Sequence, residues 1–271
     1  MTSRIPTVLS ALLIGLSLAL PTHGALIAHY QFESGDTNAK DSAGSNDGTF
    51  NNGAGLQTSD LPLVPGGTNA ALELDGADDH VFVSDGILEG LSAFSVAFWA
   101  RKDALEDQPG GDPSESRFVA SDGSNVFHIR ESNGQLGGKG PGNYLEFRMA
   151  DSNGDWIGVN SDNEVTELGV WQHVAMVYDG ADLIGYVDGE QVASVNVGAI
   201  TTNAPDEPTL FGANSNGSAA QDSYLDGGLD DVRFYDNALT QSEVQALVPE
   251  PASAALLALG GLAMLRRRRT V

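Results

Sequence analysis

Trp171-Gln172-His173-Val174-Ala175-Met176-Val177-Tyr178-Asp179-Gly180-Ala181-Asp182-Leu183-Ile184-Gly185-Tyr186-Val187-Asp188-Gly189 decides the fold. Two short runs rich in apolar, β-branched and aromatic residues, Val174 to Tyr178 and Leu183 to Val187, are each closed by an Asp-Gly dipeptide. Asp-Gly supplies the positive backbone angles that a tight reversal needs, so the stretch predicts strand, turn, strand, turn. Val192 to Val195 continues it into a third strand of a meander.

The same grammar extends outward. Ala71 to Leu74, His80 to Val83, Phe94 to Ala100, Val126 to Arg130, Tyr144 to Met149, Trp156 to Val159 and Asp230 to Tyr235 are short runs broken by Gly, Asn and Asp. Such spacing predicts an all-β protein of two antiparallel sheets packed face to face. Thr240-Gln241-Ser242-Glu243 breaks the habit: a cap Thr with Glu three residues on opens a short C-terminal helix of about two turns. With no Pro-rich linker, residues 25–247 read as one domain. Long polar loops are expected at 34–69, 103–124 and 201–224.

Charge and composition exclude whole classes. The 37 acids all lie between residues 25 and 250, where only eight of the 13 Lys and Arg accompany them. That surface repels nucleic acid but attracts divalent cations. Absence of Cys removes disulfides, thiolate catalysis and Cys-ligated metal centres.

The two ends read as processing signals. Arg4, the apolar run Val8 to Leu20 and the small residues Thr22 and Gly24 predict a signal peptide over 1–24. At the other end, Val248-Pro249-Glu250-Pro251 precedes an uncharged run, Ala252 to Leu265, and Arg266 to Arg269. Those fourteen residues make roughly 21 Å of helix, short of a hydrocarbon core of about 30 Å without help from the flanks. In order and position, 248–271 resembles the PEP-CTERM sorting signal of Gram-negative bacteria. The resemblance implies an exosortase-type enzyme in the membrane as partner. It also implies export, a transient hold in the inner membrane by the C-terminal helix, and a final location at the cell surface or in the extracellular matrix.

A second resemblance covers 25–247. Its phrases are His29-Tyr30-Gln31-Phe32-Glu33, Asp41-Ser42-Ala43-Gly44-Ser45-Asn46-Asp47-Gly48-Thr49, Ala71 to Val81, Phe94 to Trp99, Trp171 to Gly180 and Gly228-Leu229-Asp230-Asp231-Val232-Arg233-Phe234-Tyr235. Together they resemble the laminin-G-like, concanavalin A-like jelly roll of bacterial secreted proteins. That implies a sandwich of roughly a dozen strands and a non-catalytic carbohydrate-binding or adhesive role, with a cell-surface or extracellular polysaccharide as partner. A structural matrix component without a discrete ligand is the alternative.

The resemblance also implies a calcium site near the junction of the terminal strands, matched to Asp41, Asn46 and Asp230. Ca²⁺ takes six to eight hard oxygens, which Asp, Asn and a Gly-rich turn supply. The bland reading is a turn held by side-chain to backbone hydrogen bonds. Asp75, Asp78 and Asp79 read first as a tight turn using Gly76, and second as a cation site. Asp151 to Asp155 reads as a hairpin turn, because the later bidentate Glu of a calcium loop is missing.

Glucanases of the fold use Glu-x-Asp-x-x-Glu, for which Glu73-Leu74-Asp75-Gly76-Ala77-Asp78 is an imperfect match, so no catalytic residue is assigned. His29, His128 and His173 are read as core-edge residues. Trp99 and Trp171 fit packing, and Trp156, after a polar turn, is the expected glycan contact.

Overall fold

The computed structural model describes residues 24–84, 86–104, 116–121, 126–131, 144–151, 153–202, 208–214 and 222–249. Its strands are β1 (Leu26–Tyr30), β2 (Thr49–Asn51), β3 (Gly55–Gln57), β4 (Ala71–Asp75), β5 (His80–Val83), β6 (Phe94–Lys102), β7 (Arg117–Ser121) and β8 (Phe127–Glu131). They continue with β9 (Leu145–Ala150), β10 (Trp156–Asn160), β11 (Gln172–Tyr178), β12 (Asp182–Val187), β13 (Glu190–Asn196), β14 (Thr209–Phe211) and β15 (Asp226–Tyr235), and one helix follows, α1 (Gln241–Ala246).

Two antiparallel sheets result. The first runs β13-β12-β11-β6-β15-β4-β3, with β1 also on β15, and the second runs β10-β9-β8-β7-β14-β5-β2. This is the all-β jelly-roll sandwich with one short C-terminal helix that the sequence predicts. The inward members of each alternating strand make the core: Phe94, Val96 and Phe98 of β6 and Val174, Met176 and Tyr178 of β11 meet Phe127, Phe147 and Phe211 of the other sheet. Burial of these large side chains supplies the main driving force for the fold.

The meander folds as read. Asp188 and Gly189 carry φ of 49° and 79° in the two-residue turn where Val187 pairs with Glu190. Two consecutive positive angles are those of a type I′ hairpin. Asp151 likewise turns β9 into β10, its Oδ1 accepting from the N–H of Asn153 and Asp155.

On the outward face of the first sheet, Ala97, Ala175, Val177 and Tyr186 form a second apolar cluster closed by Leu239 and Val244. Helix α1 is set over it by the capping box: Thr240 caps the N–H of Glu243, and the Glu243 side chain returns to the N–H of Thr240. The helix is six residues long, slightly shorter than the two turns expected.

The segments expected as loops are not free of strands: 34–69 holds β2 and β3, 103–124 holds β7 and 201–224 holds β14. Two further features depart from the sequence reading. Strands β4 and β5 do not pair with each other but lie in different sheets, so 75–79 is a corner between sheets. In β15, a bulge with Asp231 at φ 52° puts both Asp230 and Asp231 on the outward face, while Leu229 and Val232 stay in the core. The bulge lies where the partner of β15 changes from β4 to β1.

The localisation expected from sequence is corrected. No helix among the described residues is long and apolar enough to cross a membrane. Helix α1 spans only about 9 Å at about 1.5 Å per residue, against a core of about 30 Å. Residues 1–23, the run 252–265 and Arg266 to Arg269 lie outside the described residues, as does most of the loop expected at 103–124.

Candidate functional site

Asp41, Asn46 and Asp230 occupy two different settings. The Asp41 carboxylate accepts from four backbone N–H groups, those of His29, Ala43, Gly44 and Asn46, at 2.9 to 3.1 Å. Burial would raise its pKa, but these bonds outweigh burial and hold the carboxyl below the usual range. Asn46 meets Asp41 through its backbone N–H, and its carbonyl accepts from the Tyr30 hydroxyl at 2.6 Å. Asp41 thus knots the 41–48 loop to β1.

Asp230 sits apart in the β15 bulge, 1% exposed, its Oδ1 accepting from the Asp231 N–H at 2.7 Å. Burial, with the nearby charges of Asp231 and Glu33, pushes its carboxyl up to about 8. It borders a cleft of about 130 Å³ together with Glu33, Thr68 and Asp231.

The carboxylates that do converge, among the described residues, are Asp75, Asp78 and Asp79, with ligand atoms within 4.8 Å of one another. Asp79 is buried and accepts from the N–H of Gly53 and Asp75. Burial raises its pKa, and the charges of Asp75 and Asp78 add to that against the two hydrogen bonds. A divalent cation would relieve this repulsion, and three carboxylates are a hard-oxygen donor set suited to one.

The glucanase-like pattern does not assemble. Glu73 and Asp75 share the outward face of β4, but Glu73 is held by Nη2 of Arg101 at 3.0 Å to both of its oxygens. The chain then leaves the sheet at Gly76, φ 73°. The cross-strand neighbours of Glu73 are Gly228 of β15 and Gly55 of β3, and the Asp103 carboxylate near it is bound to the same guanidinium, so the pair is an ion-pair cluster and not the free acid and nucleophile of retaining hydrolysis.

Trp156 opens β10, at the edge of the second sheet, and is half-buried on its outward face. Its ring centroid is 4.6 Å from that of His128, and the Arg148 guanidinium lies over it at 5.8 Å. Arg148 can reach there because Gly158 leaves room: a β-carbon at 158 would fall 2.5 Å from the Arg148 Cγ. Beside them Glu146 takes Nε and Nη2 of Arg130 at 3.0 and 2.8 Å, Nη1 of Arg148 at 3.2 Å and Nε2 of His128 at 3.5 Å. Burial would raise Glu146, yet His128, Arg130 and Arg148 hold it below the usual range.

A family model described as the concanavalin A-like lectin/glucanases superfamily matches residues 75–245, more than half of the chain. The chain belongs to this superfamily. Among solved structures, this superfamily member is similar to domain 4 of AbnA, a GH43 extracellular arabinanase from Geobacillus stearothermophilus, in complex with arabinotriose. Identity is 20% and TM-score 0.62, over 83% of this chain and 99% of that one. It is also similar to the binding domain of Paraclostridial Mosquitocidal Protein 1, at 17% identity and TM-score 0.60 over 82% of this chain and 51% of that one. A third is a botulinum neurotoxin serotype D ligand binding domain in complex with N-acetylneuraminic acid, at 13% identity and TM-score 0.55 over 82% of this chain and 50% of that one. The chain spans about half the length of those toxin domains. At such identities the likeness shows the fold alone, a jelly-roll sandwich. No curated protein matches the sequence.

Two features escaped the sequence reading. Arg130, Glu146 and Arg148 are the outward members of strands that look like solvated alternation, and only their cross-strand register, Arg130 opposite Glu146 and His128 opposite Arg148, brings them together. Trp171, read as packing, is half-buried on the outward face of the first sheet.

Proposed function

We propose that this superfamily member is a non-catalytic glycan-binding module supported by a divalent cation. The observation that carries the reading is Trp156, half-buried on an edge strand beside Arg148 and His128. An indole face stacks on the apolar face of a sugar ring, and neighbouring polar groups fix its orientation. The arabinotriose and N-acetylneuraminic acid complexes of proteins sharing the fold support this reading. Isothermal titration of the chain with arabino-, cello- and sialyl-oligosaccharides tests it, with Trp156→Ala expected to weaken binding about tenfold or more. Absence of saturable binding to every glycan would leave the alternative of a matrix component without a discrete ligand. Deep burial of His128, Arg130 and Glu146 favours that alternative, since well-packed charges also serve stability.

Two cation readings enter the same test: calcium at Asp41, Asn46 and Asp230, and a divalent cation at Asp75, Asp78 and Asp79. Geometry favours the second, because Asp41 is committed to backbone N–H groups while the three corner carboxylates converge. Melting in calcium and in chelator, with Asp78→Asn and Asp230→Asn, separates them. The division into 1–24, 25–247 and 248–271, with exosortase-type removal of the tail, is part of the proposal and is checked by the intact mass of the mature protein.

A further inference from the structure

Trp171 is fixed at three points. Its six-membered ring lies on Gly228, where a β-carbon would come within 2.7 Å of Cη2. Its Nε1–H donates to the Asp60 carbonyl at 2.7 Å, and the Arg101 guanidinium stands 5.3 Å from the ring centroid. An aromatic surface held this way loses little freedom on binding, which is the condition for a preorganised platform.

Around the indole is a frame of acceptors. Arg101 donates Nε and Nη2 to Asp103, Nη1 to Asp60 and Nη2 to Glu73, at 2.7 to 3.0 Å. The side chains of Asp60, Glu73 and Asp103 nevertheless stay 66%, 42% and 30% exposed, so each offers lone pairs to solvent. The large hydrophobic residues most exposed among those described are Leu63, Leu168 and Val170. Leu168 lies three residues before Trp171, and Leu63 is in the segment that supplies Asp60.

We propose that this face is a second saccharide platform, specific for a neutral sugar. A pyranose or furanose ring would stack an apolar face on Trp171 and donate hydroxyl protons to Glu73, Asp60 and Asp103. Three carboxylates against one guanidinium repel uronate and sialate groups, and a second copy of a chain with net charge −24 is repelled as well. This rests on the glycan-binding reading above and extends it. Trp156 faces outward from the second sheet and Trp171 from the first, so the two platforms point away from each other. One domain would then bridge two polysaccharide chains.

The test uses the full chain, titrated calorimetrically with arabino- and cello-oligosaccharides and with oligogalacturonate, alongside turbidity with soluble arabinan. The expected result is two neutral oligosaccharides per wild-type chain, turbidity on mixing, and no binding of oligogalacturonate at the Trp171 face. Trp171→Ala should halve the stoichiometry and abolish turbidity, with Trp156→Ala removing the other half. Trp171→Phe, which keeps an aromatic face, should retain two sites and so controls for loss of the fold. Unchanged stoichiometry and turbidity in Trp171→Ala would overturn the second platform and leave the glycan reading standing. Wild-type protein that binds no saccharide would remove both. Binding of oligogalacturonate lost in Trp171→Ala would overturn the neutral specificity.

Discussion

The indole of Trp171 rests on Gly228, and the space between them excludes a β-carbon. Gly228 lies on the outward face of β15, opposite Arg101 of β6, so the missing side chain lets Trp171 fold down beside the guanidinium. Gly228→Ala is expected to lift the ring, exposing it and costing about 1 to 3 kcal/mol through overpacking. A red-shifted tryptophan emission together with a lowered urea midpoint checks this. An unchanged emission would mean the ring is not seated on the glycine.

Asp41 stabilises by a different route, as the acceptor for four backbone N–H groups, that of His29 in β1 and those of Ala43, Gly44 and Asn46 in its own loop. Asp41→Ala should cost at least about 2 kcal/mol, since stranded donors are penalised more than a hydrogen bond is worth. Because its folded pKa is held below the unfolded value, its contribution is present above the ordinary aspartate range. It fades as pH falls through the folded pKa. The loss should be the same in calcium and in chelator, whereas a metal-ligand role predicts a difference only when calcium is present.

How much of this was legible in the sequence depends on which physical signal carried it. Turn chemistry is local, so Asp179-Gly180, Asp188-Gly189 and the Thr240 to Glu243 box could be read and appear where expected. Which sheet a strand joins is not local. Ala71 to Leu74 and His80 to Val83 have the alternation of hairpin partners, yet they belong to opposite sheets, because period two reports a buried face and not a neighbour. The β15 bulge hides for the same reason: regular alternation would send Asp230 and Asp231 to opposite faces, and a positive φ at Asp231 sends both outward. Glu146 with Arg130 and Arg148 needed cross-strand register, which no single strand contains.

Tyr178 shows what one hydroxyl contributes inside the sandwich. It donates to the Gly198 carbonyl at 2.8 Å and accepts from the buried N–H of Ile200 at 2.6 Å, tying β11 to the segment after β13. Tyr178→Phe keeps the ring and strands both groups, so the expected cost is about 1 to 3 kcal/mol. Chemical denaturation measures it, and amide exchange at Ile200 should rise more than at Met176.

His173 supplies the pH dependence. It is 1% exposed on the outward face of β11, edge-on to Trp99 at 5.5 Å, with Asp231 and Arg233 acting through space. Burial pushes its imidazole down to about 4, with Asp231 opposing and Arg233 reinforcing the shift. The unfolded chain takes up this proton near the ordinary histidine pKa of about 6.5 and the folded chain only near 4, so the contribution is present at neutral pH and lost as pH falls between those values. The loss is on the order of 3 kcal/mol, at about 1.36 kcal/mol for each unit of separation. Asp230 acts oppositely over much of the same range. Its folded pKa of about 8 lies above the unfolded value, so its contribution is lost as pH rises towards 8. The wild-type profile therefore sums two opposing slopes, and a difference profile is needed to separate them. Subtracting the urea midpoints of His173→Gln from those of the wild type should leave a line that falls by about one proton's worth as pH drops from 6.5 to 4. A flat difference would mean that the folded protein already carries a charged His173, which its burial against Trp99 forbids.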